Sequence, residues 1–249
     1  MKKRVLMVLV MLAVALSTLG CWVGTVYIGG FGTVRGSDKV VEEEREVSDF
    51  TGVELATLGN LIIELGDEEE LRIEAEDNLL QYIEAEVHGG TLKIGHRQKV
   101  TLVPTESIYF YLTVKELDTI SVSGAGNVKV PDLEVAEFSL NISGGGNVDM
   151  EDLNADVLEV KISGAGNLYI EGGEVEEQEI TISGAGNYKA RGLESAEADV
   201  RVPGLGSATI RVRDQLKVNI SGAGSVKYVG SPIVEQEVSG VGSIEQIGE

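Results

Sequence analysis

Cysteine is nearly absent: the 249-residue chain holds one, Cys21, so no intrachain disulfide can form. Because Cys21 sits in the apolar amino-terminal stretch, the rest of the chain has no thiol nucleophile. Histidine is almost as scarce. His88 and His96 are the only two, with no cysteine nearby and no i,i+4 pairing, which leaves no pattern for a metal centre. Aromatic residues make up 5%, too few for a groove that stacks sugars. Basic residues number 20 against 41 acidic ones, a net charge of −21. Phosphate-backbone binding needs clustered Lys and Arg, so nucleic acid is not expected as a partner, and docking on anionic lipid is disfavoured. The chain contains no G-x-S-x-G elbow, no G-x-G-x-x-G loop and no P-loop. No catalytic residue, cofactor or metal is therefore expected.

Glycine, by contrast, is in excess, with 32 copies. Many sit in a tetrapeptide used seven times: Gly124-Ala-Gly-Asn127, Gly144-Gly-Gly-Asn147, Gly164-Ala-Gly-Asn167, Gly184-Ala-Gly-Asn187, Gly204-Leu-Gly-Ser207, Gly222-Ala-Gly-Ser225 and Gly240-Val-Gly-Ser243. The first five copies start 20 residues apart and the last two steps are 18. A fixed period of this length marks a repeat array. Within a period, Leu158, Val160 and Ile162 alternate with Glu159, Lys161 and Ser163, and Leu168 and Ile170 keep the same parity beyond the glycines. That is the period of a strand with one dry face. Each unit thus reads as strand, glycine turn, strand and a second polar turn such as Glu151–Ala155.

Three features favour stacked coils over hairpins. The glycine turn always falls at the same place, the inward columns stay apolar, and the shorter periods lose an even number of residues, which preserves parity. The first of those losses is expected near Arg213-Asp214. One coil offers about five inward apolar side chains worth roughly 1.5–3 kcal/mol each. Ordering its residues costs on the order of 30 kcal/mol. A coil alone cannot stand, so stability belongs to the array. The expected fold is all-β, a right-handed parallel β-helix of roughly 18–20-residue coils with an amino-terminal β-rich cap. Glycine is expected at the turn for its positive φ and for close approach of stacked backbones, and Asn for its tolerance of left-handed positions. Asn127, Asn147, Asn167 and Asn187 would stack as an amide ladder, continued more weakly by Ser207, Ser225 and Ser243.

The amino terminus reads differently. Met1-Lys-Lys-Arg4 followed by apolar Val5–Leu16 is an export signal. Thr18-Leu19-Gly20-Cys21 resembles a lipoprotein box, although Thr18 stands where such boxes usually carry Leu. No charge lies between Arg4 and Arg35, so an uncleaved anchor is also long enough, and cleavage with secretion is the third reading. The expected organisation is a signal, lipoprotein signal or anchor over 1–21 and a tether over 22–46. A β-helix follows over 47–249, with cap and first coils at 47–120 and regular repeats at 121–249. In the cap, two strands flank Gly59-Asn60, a degenerate copy of the tetrapeptide with Thr57 at its first place. Leu71–Ala75 reads as a strand, Asp67–Glu70 as a solvated loop, and Asp77 as the N-cap of a helical turn reaching Tyr82. Ile83–Val87 and Thr91–Ile94 read as a hairpin, and Ile108–Val114 as a strand into the array.

Val47-Ser-Asp-Phe-Thr-Gly-Val53, Glu74-Ala-Glu-Asp-Asn78, His88-Gly-Gly-Thr-Leu-Lys-Ile94 and the recurring Ile-Ser-Gly-Ala-Gly-Asn together resemble the family called putative auto-transporter adhesin, head GIN domain. The likeness runs from about residue 47 to the end. The last three copies depart from it, with Ser for Asn and a shortened period. It implies an exported bacterial β-helix of unassigned biochemical role, often behind a lipoprotein-type signal, and brings no catalytic residues.

The functional expectation is an exported, membrane-tethered binding or adhesin-like module. Its partner would be an extracellular or envelope ligand, glycan or protein, met at the second turns and the sheet faces. Membrane contact would be through the amino-terminal segment alone, and a homo-oligomer is compatible with the pattern. Two rivals stand beside this: a structural protein stacking end to end, and a carbohydrate-active β-helix enzyme, which would need a concave groove with two facing carboxylates.

Overall fold

The computed structural model describes residues 32–248, and those from Thr33 onward belong to one compact unit. Cys21 and the signal lie outside the described residues. The chain opens with β1 (Gly32–Arg35), β2 (Val40–Arg45), β3 (Gly52–Leu55), β4 (Asn60–Leu65) and β5 (Glu70–Glu76). After a 3-10 turn at Leu80–Tyr82 come β6 (Ile83–His88), β7 (Thr91–His96), β8 (Val100–Val103) and β9 (Tyr109–Val114). The repeat supplies β10 (Thr119–Val122), β11 (Asn127–Val130), β12 (Leu133–Ile142), β13 (Val148–Ile162), β14 (Asn167–Ile182), β15 (Asn187–Val202) and β16 (Ser207–Ile220). The last coil and a half are β17 (Ser225–Val229), β18 (Ile233–Val238) and β19 (Ser243–Gly248).

Parallel stacking turns these strands into a β-solenoid of about six turns. Before the glycine corner, β7, β3, β10 and then β12 to β16 stack in parallel and end on β18. After the corner, β9, β4 and β11 lead the equivalent stack, which ends on β17 and β19. Long strands such as β14 run from one stack round the second turn into the other. The apolar columns predicted from parity are buried throughout: Leu158, Val160, Ile162, Leu168, Ile170, Ile180 and Ile182 all lie in one core.

The order of stacking departs from chain order. β3 and β4 form the first coil, yet β7 and β9 stack outside them, so the chain doubles back before β10 resumes on the inner side. Antiparallel strands then close this end: β6 pairs β7, β5 pairs β9, and β2 pairs β5. From Gly32 on, the stretch expected as tether is therefore structured. β1 pairs β8, and β2 lies along β5. Its alternating Val41, Glu43 and Arg45 follow the strand parity, and Arg45 donates to the carbonyls of Leu80 and Ile83, both at 3.2 Å.

The expected N-cap at Asp77 is corrected. Leu79 precedes the 3-10 turn, and no side chain caps it. Asp77 instead accepts from the Ser37 hydroxyl at 2.6 Å and the Lys39 ammonium at 3.1 Å. Asn78 donates to the Arg35 carbonyl at 2.7 Å. Glu76, buried, accepts from the N–H groups of Asp38 at 2.8 Å and Thr105 at 2.9 Å, and from the Thr105 hydroxyl. Three consecutive side chains thus clasp residues 35–39. Burial pushes the Glu76 carboxyl up, but the Thr105, Asp38 and Glu106 donors outweigh it and hold it below its ordinary value. A lowered carboxylate contributes stability above its unfolded pKa of about 4.3 and loses it as pH falls through the folded value. Residues 35–39 should therefore lose hydrogen-exchange protection, relative to the unstructured rate at the same pH, below about pH 4, and Glu76→Gln should show that low protection already at pH 7. Equal protection of the variant and the parent at pH 7 would refute the clasp.

The coil shortens where expected, in the second turn within Ile210–Gln215, and does so in two steps. Ala190 to Glu194 spans four steps where Ile210 to Arg211 spans one, a loss of three. Ser195 to Glu197 spans two where Val212 to Gln215 spans three, a gain of one. The net change is the expected two. The deletion lies opposite Arg191-Gly192-Leu193, and Arg213-Asp214 stands where the coil before has Ala196 alone.

Candidate binding surface

The glycine corner is structural, though for only one of the two expected reasons. Among the described residues, the glycines with φ between +20° and +160° are Gly59, Gly89, Gly90, Gly173 and Gly230, and none belongs to the seven tetrapeptides. Gly89 and Gly90 supply that conformation to the β6–β7 hairpin. In the tetrapeptides the reason is proximity alone: a Cβ on Gly164 would lie 2.6 Å from the Ser143 carbonyl oxygen, and one on Gly166 would lie 2.7 Å from Ile142 Cγ2. Nor is Asn there for left-handed geometry, since among the described non-glycine residues only Asp38, Asp49 and Lys99 have positive φ.

The Asn side chains bond to one another. Asn127 donates to Asn60 at 3.2 Å, Asn147 to Asn127 at 3.0 Å, Asn167 to Asn147 at 2.7 Å and Asn187 to Asn167 at 2.7 Å. Ser207 donates to Asn187 at 2.5 Å. Ser225 and Ser243 follow in register, joined to the coil before them through backbone N–H groups. Asn60 was not in the sequence-level ladder, although its degenerate turn was the signal for it. Asn167→Ala should cost about 1 kcal/mol, lowering Tm by roughly 2–4 °C, while Ser225→Ala should stay within about 0.5 kcal/mol. Equal effects in a thermal melt would show that the ladder carries no stability.

His88 and His96 lie at opposite ends of the β6–β7 hairpin. His88 is exposed beside Glu86 at 2.9 Å, and His96 pairs with the Thr57 hydroxyl at 3.0 Å. No group of three metal-ligating side chains occurs among the described residues. On the sheet after the glycine corner, Arg72 covers the Tyr111 ring at 4.0 Å and Lys189 covers Tyr169 at 4.9 Å. Those rings are already engaged from within the chain.

Concavity appears along the second turn. A groove of about 900 Å³ opens between the link Lys115–Thr119 and the turn Leu133–Ser139. It shares Glu134, Val135 and Ala136 with a hollow of about 600 Å³ over the next two coils, lined further by Asn154–Asp156 and Glu174–Glu176. The apolar lining is Leu65, 49% exposed, the exposed Ala136, and the half-buried Val135 and Val157, the last standing in the same column as Glu137 and Glu177. The walls are acidic. Register places Glu159 opposite Glu179, one strand spacing of about 4.8 Å away, and Glu116, Asp118, Glu134 and Glu137 complete the acidic lining. Like charges so placed oppose folding. Sequence parity marks these residues as outward, but nothing in it shows that the turn is hollow.

Residues 49–232, which hold most of the glycine corners, the Glu76–Asn78 clasp and the groove, match the family model described as putative auto-transporter adhesin, head GIN domain. The chain belongs to that family. The head GIN chain also superposes on solved structures. A putative adhesin from Bacteroides fragilis has 25% identity and a TM-score of 0.81 over 86% of this chain and 100% of its own. A putative adhesin from Parabacteroides merdae has 24% identity and a TM-score of 0.69 over 87% and 99%. A putative lipid binding protein from Parabacteroides distasonis has 21% identity and a TM-score of 0.69 over 86% and 99%, a likeness of fold. No curated protein matches the chain.

Proposed function

We propose that this head GIN chain is an exported, cell-envelope-attached binding module of adhesin type, without catalytic activity, and that it meets its partner along the second turn. The groove carries this reading: open apolar side chains set among carboxylates that lack an ion pair are a surface whose own chemistry is left incomplete. The family and the Bacteroides fragilis likeness support it. Residues 32–249 presented to a panel of glycans and matrix proteins should bind at least one saturably, and substitution in the groove should weaken that binding. Binding that no groove substitution alters would overturn the location, and no binding at all would overturn the function.

The groove holds carboxylates, so the enzymatic rival is tested directly. Incubation with a polysaccharide panel should release no reducing ends, and release abolished by Glu134→Gln or Glu137→Gln would replace the binding reading. The self-stacking rival draws on the last coil, where Ile233 is 80%, Val238 45% and Val241 89% exposed. A mass by light scattering that stays monomeric as concentration rises would remove it. Attachment is proposed through the amino-terminal segment, with residues 22–31 as tether and Cys21 as lipid site or an uncleaved span as the anchor. Mass spectrometry of the native amino terminus separates the two, and a mature chain lacking both lipid and span would overturn attachment.

A further inference from the structure

From the second-turn groove we infer the class of partner: an extended polypeptide segment that alternates Lys or Arg with apolar side chains. The inference rests on the binding reading above and narrows it. The groove's basic residue, Lys115, is taken by Glu69 at 3.4 Å, and the nearby Lys161 is paired with Glu159. Glu116, Asp118, Glu134, Glu137 and Glu179 are left without an ion pair among the described residues. Five such carboxylates around one hollow call for cations from outside. An acidic or phosphorylated ligand would meet repulsion, and a neutral glycan would leave the charges unmatched.

The apolar part of the lining separates a peptide from a small polycation. Leu65, Val135, Ala136 and Val157 offer apolar area that a polyamine cannot cover, whereas a strand-like segment places alternate side chains on opposite sides. Dimensions agree. The two hollows cross four stacked levels, at Lys115–Thr119, Leu133–Ser139, Asn154–Val157 and Glu174–Glu179, or about 15 Å at ~4.8 Å per level. At about 3.3 Å per extended residue, five residues span that length.

The test uses residues 32–249 and a dye-labelled octapeptide alternating lysine with leucine, read by fluorescence anisotropy. Glu134→Lys with Glu137→Lys should weaken binding about tenfold or more, since both peptide–wall attractions become repulsions. Glu245→Lys with Asp149→Lys, on the other sheet and outside both hollows, should stay within about twofold, because screened distant charges contribute little. Serine in place of leucine should also weaken binding. If the charge-reversed chain fails to fold by circular dichroism, Glu134→Gln with Glu137→Gln is read instead. Equal affinity of the groove variant and the parent would overturn the inference, as would equal binding of spermidine and peptide or of a glutamate-for-lysine peptide. A chain that binds a panel glycan or protein but not the cationic peptide sinks this inference alone. A chain that binds nothing sinks the broader reading with it.

Discussion

Gly166→Ala is expected to cost about 4 kcal/mol or more, a large share of the roughly 5–15 kcal/mol by which a folded domain is ordinarily stable. The added methyl would fall inside van der Waals contact of the Gly146 carbonyl and 2.7 Å from Ile142 Cγ2. Neither obstacle is the free end of a flexible chain. Gly146 is itself pinned against Gly126, so relief requires moving the backbone of every coil on one side. Overpacking in a core that can adjust costs about 1–3 kcal/mol, and here the neighbours cannot adjust. The control lies one residue from another such glycine: a Cβ on Gly145 meets nothing within 4 Å, and the equivalent residues are Ala165, Ala185 and Leu205. Gly145→Ala should therefore stay within about 0.5 kcal/mol. Urea melts of both variants decide the matter, and comparable midpoints would show that the corner is not close-packed.

Tyr188→Phe is expected to cost about 2 kcal/mol, although it removes one oxygen atom from a residue that touches no solvent. The phenol donates to Gln178 Oε1 at 2.7 Å, both side chains being buried inside the solenoid. Burial pushes the phenol up, so it remains a neutral donor at any pH the fold survives. Gln178 Nε2 already has no partner. Removing the hydroxyl leaves the whole amide unpaired, and an orphaned buried group costs more than its hydrogen bond was worth. Gln178→Leu combined with Tyr188→Phe should recover most of the loss. A double variant no better than Tyr188→Phe alone would mean that packing, and not pairing, sets the cost. The pair also fixes size: Tyr188 stacks on Ala208 and Gln178 on Ala198, each large side chain meeting a small one on the next coil.

The regular part of the fold was legible because it repeats. Parity gave the buried columns from Phe138 to Val226, and the fixed place of Asn predicted side chains that do bond in series. What could not be read depends on contacts that occur once. The return of β7 and β9 outside β3 and β4 has no periodic trace. Nor has the strand at Val40–Arg45, whose run of glutamates falls in the stretch expected as a tether. Glu69, within a run that looks like an ordinary acidic loop, accepts from the Asp49 N–H at 3.2 Å and from Lys115 at 3.4 Å. The glycines were read correctly as turns but for a reason half wrong, since sequence shows which residue stands at a corner and not how near the next corner lies. The hollow at the second turn was out of reach for the same reason. Glu134 and Glu137 show as outward in sequence, but what faces them is decided by how far the link Lys115–Thr119 stands away.

Attachment through the amino terminus would make the clasp at Glu76–Asn78 a mechanical part. A pull on residue 32 does not reach the coils directly. It arrives at the β1–β8 pair and at Arg35, Ser37, Asp38 and Lys39, which are held by three adjacent side chains through charged and neutral hydrogen bonds. Those bonds would give first, releasing slack before the coils from β10 onward open, since the coils spread the same pull over many backbone hydrogen bonds. A surface protein built this way would lengthen under shear before its binding face deforms, as a fuse protects the circuit behind it.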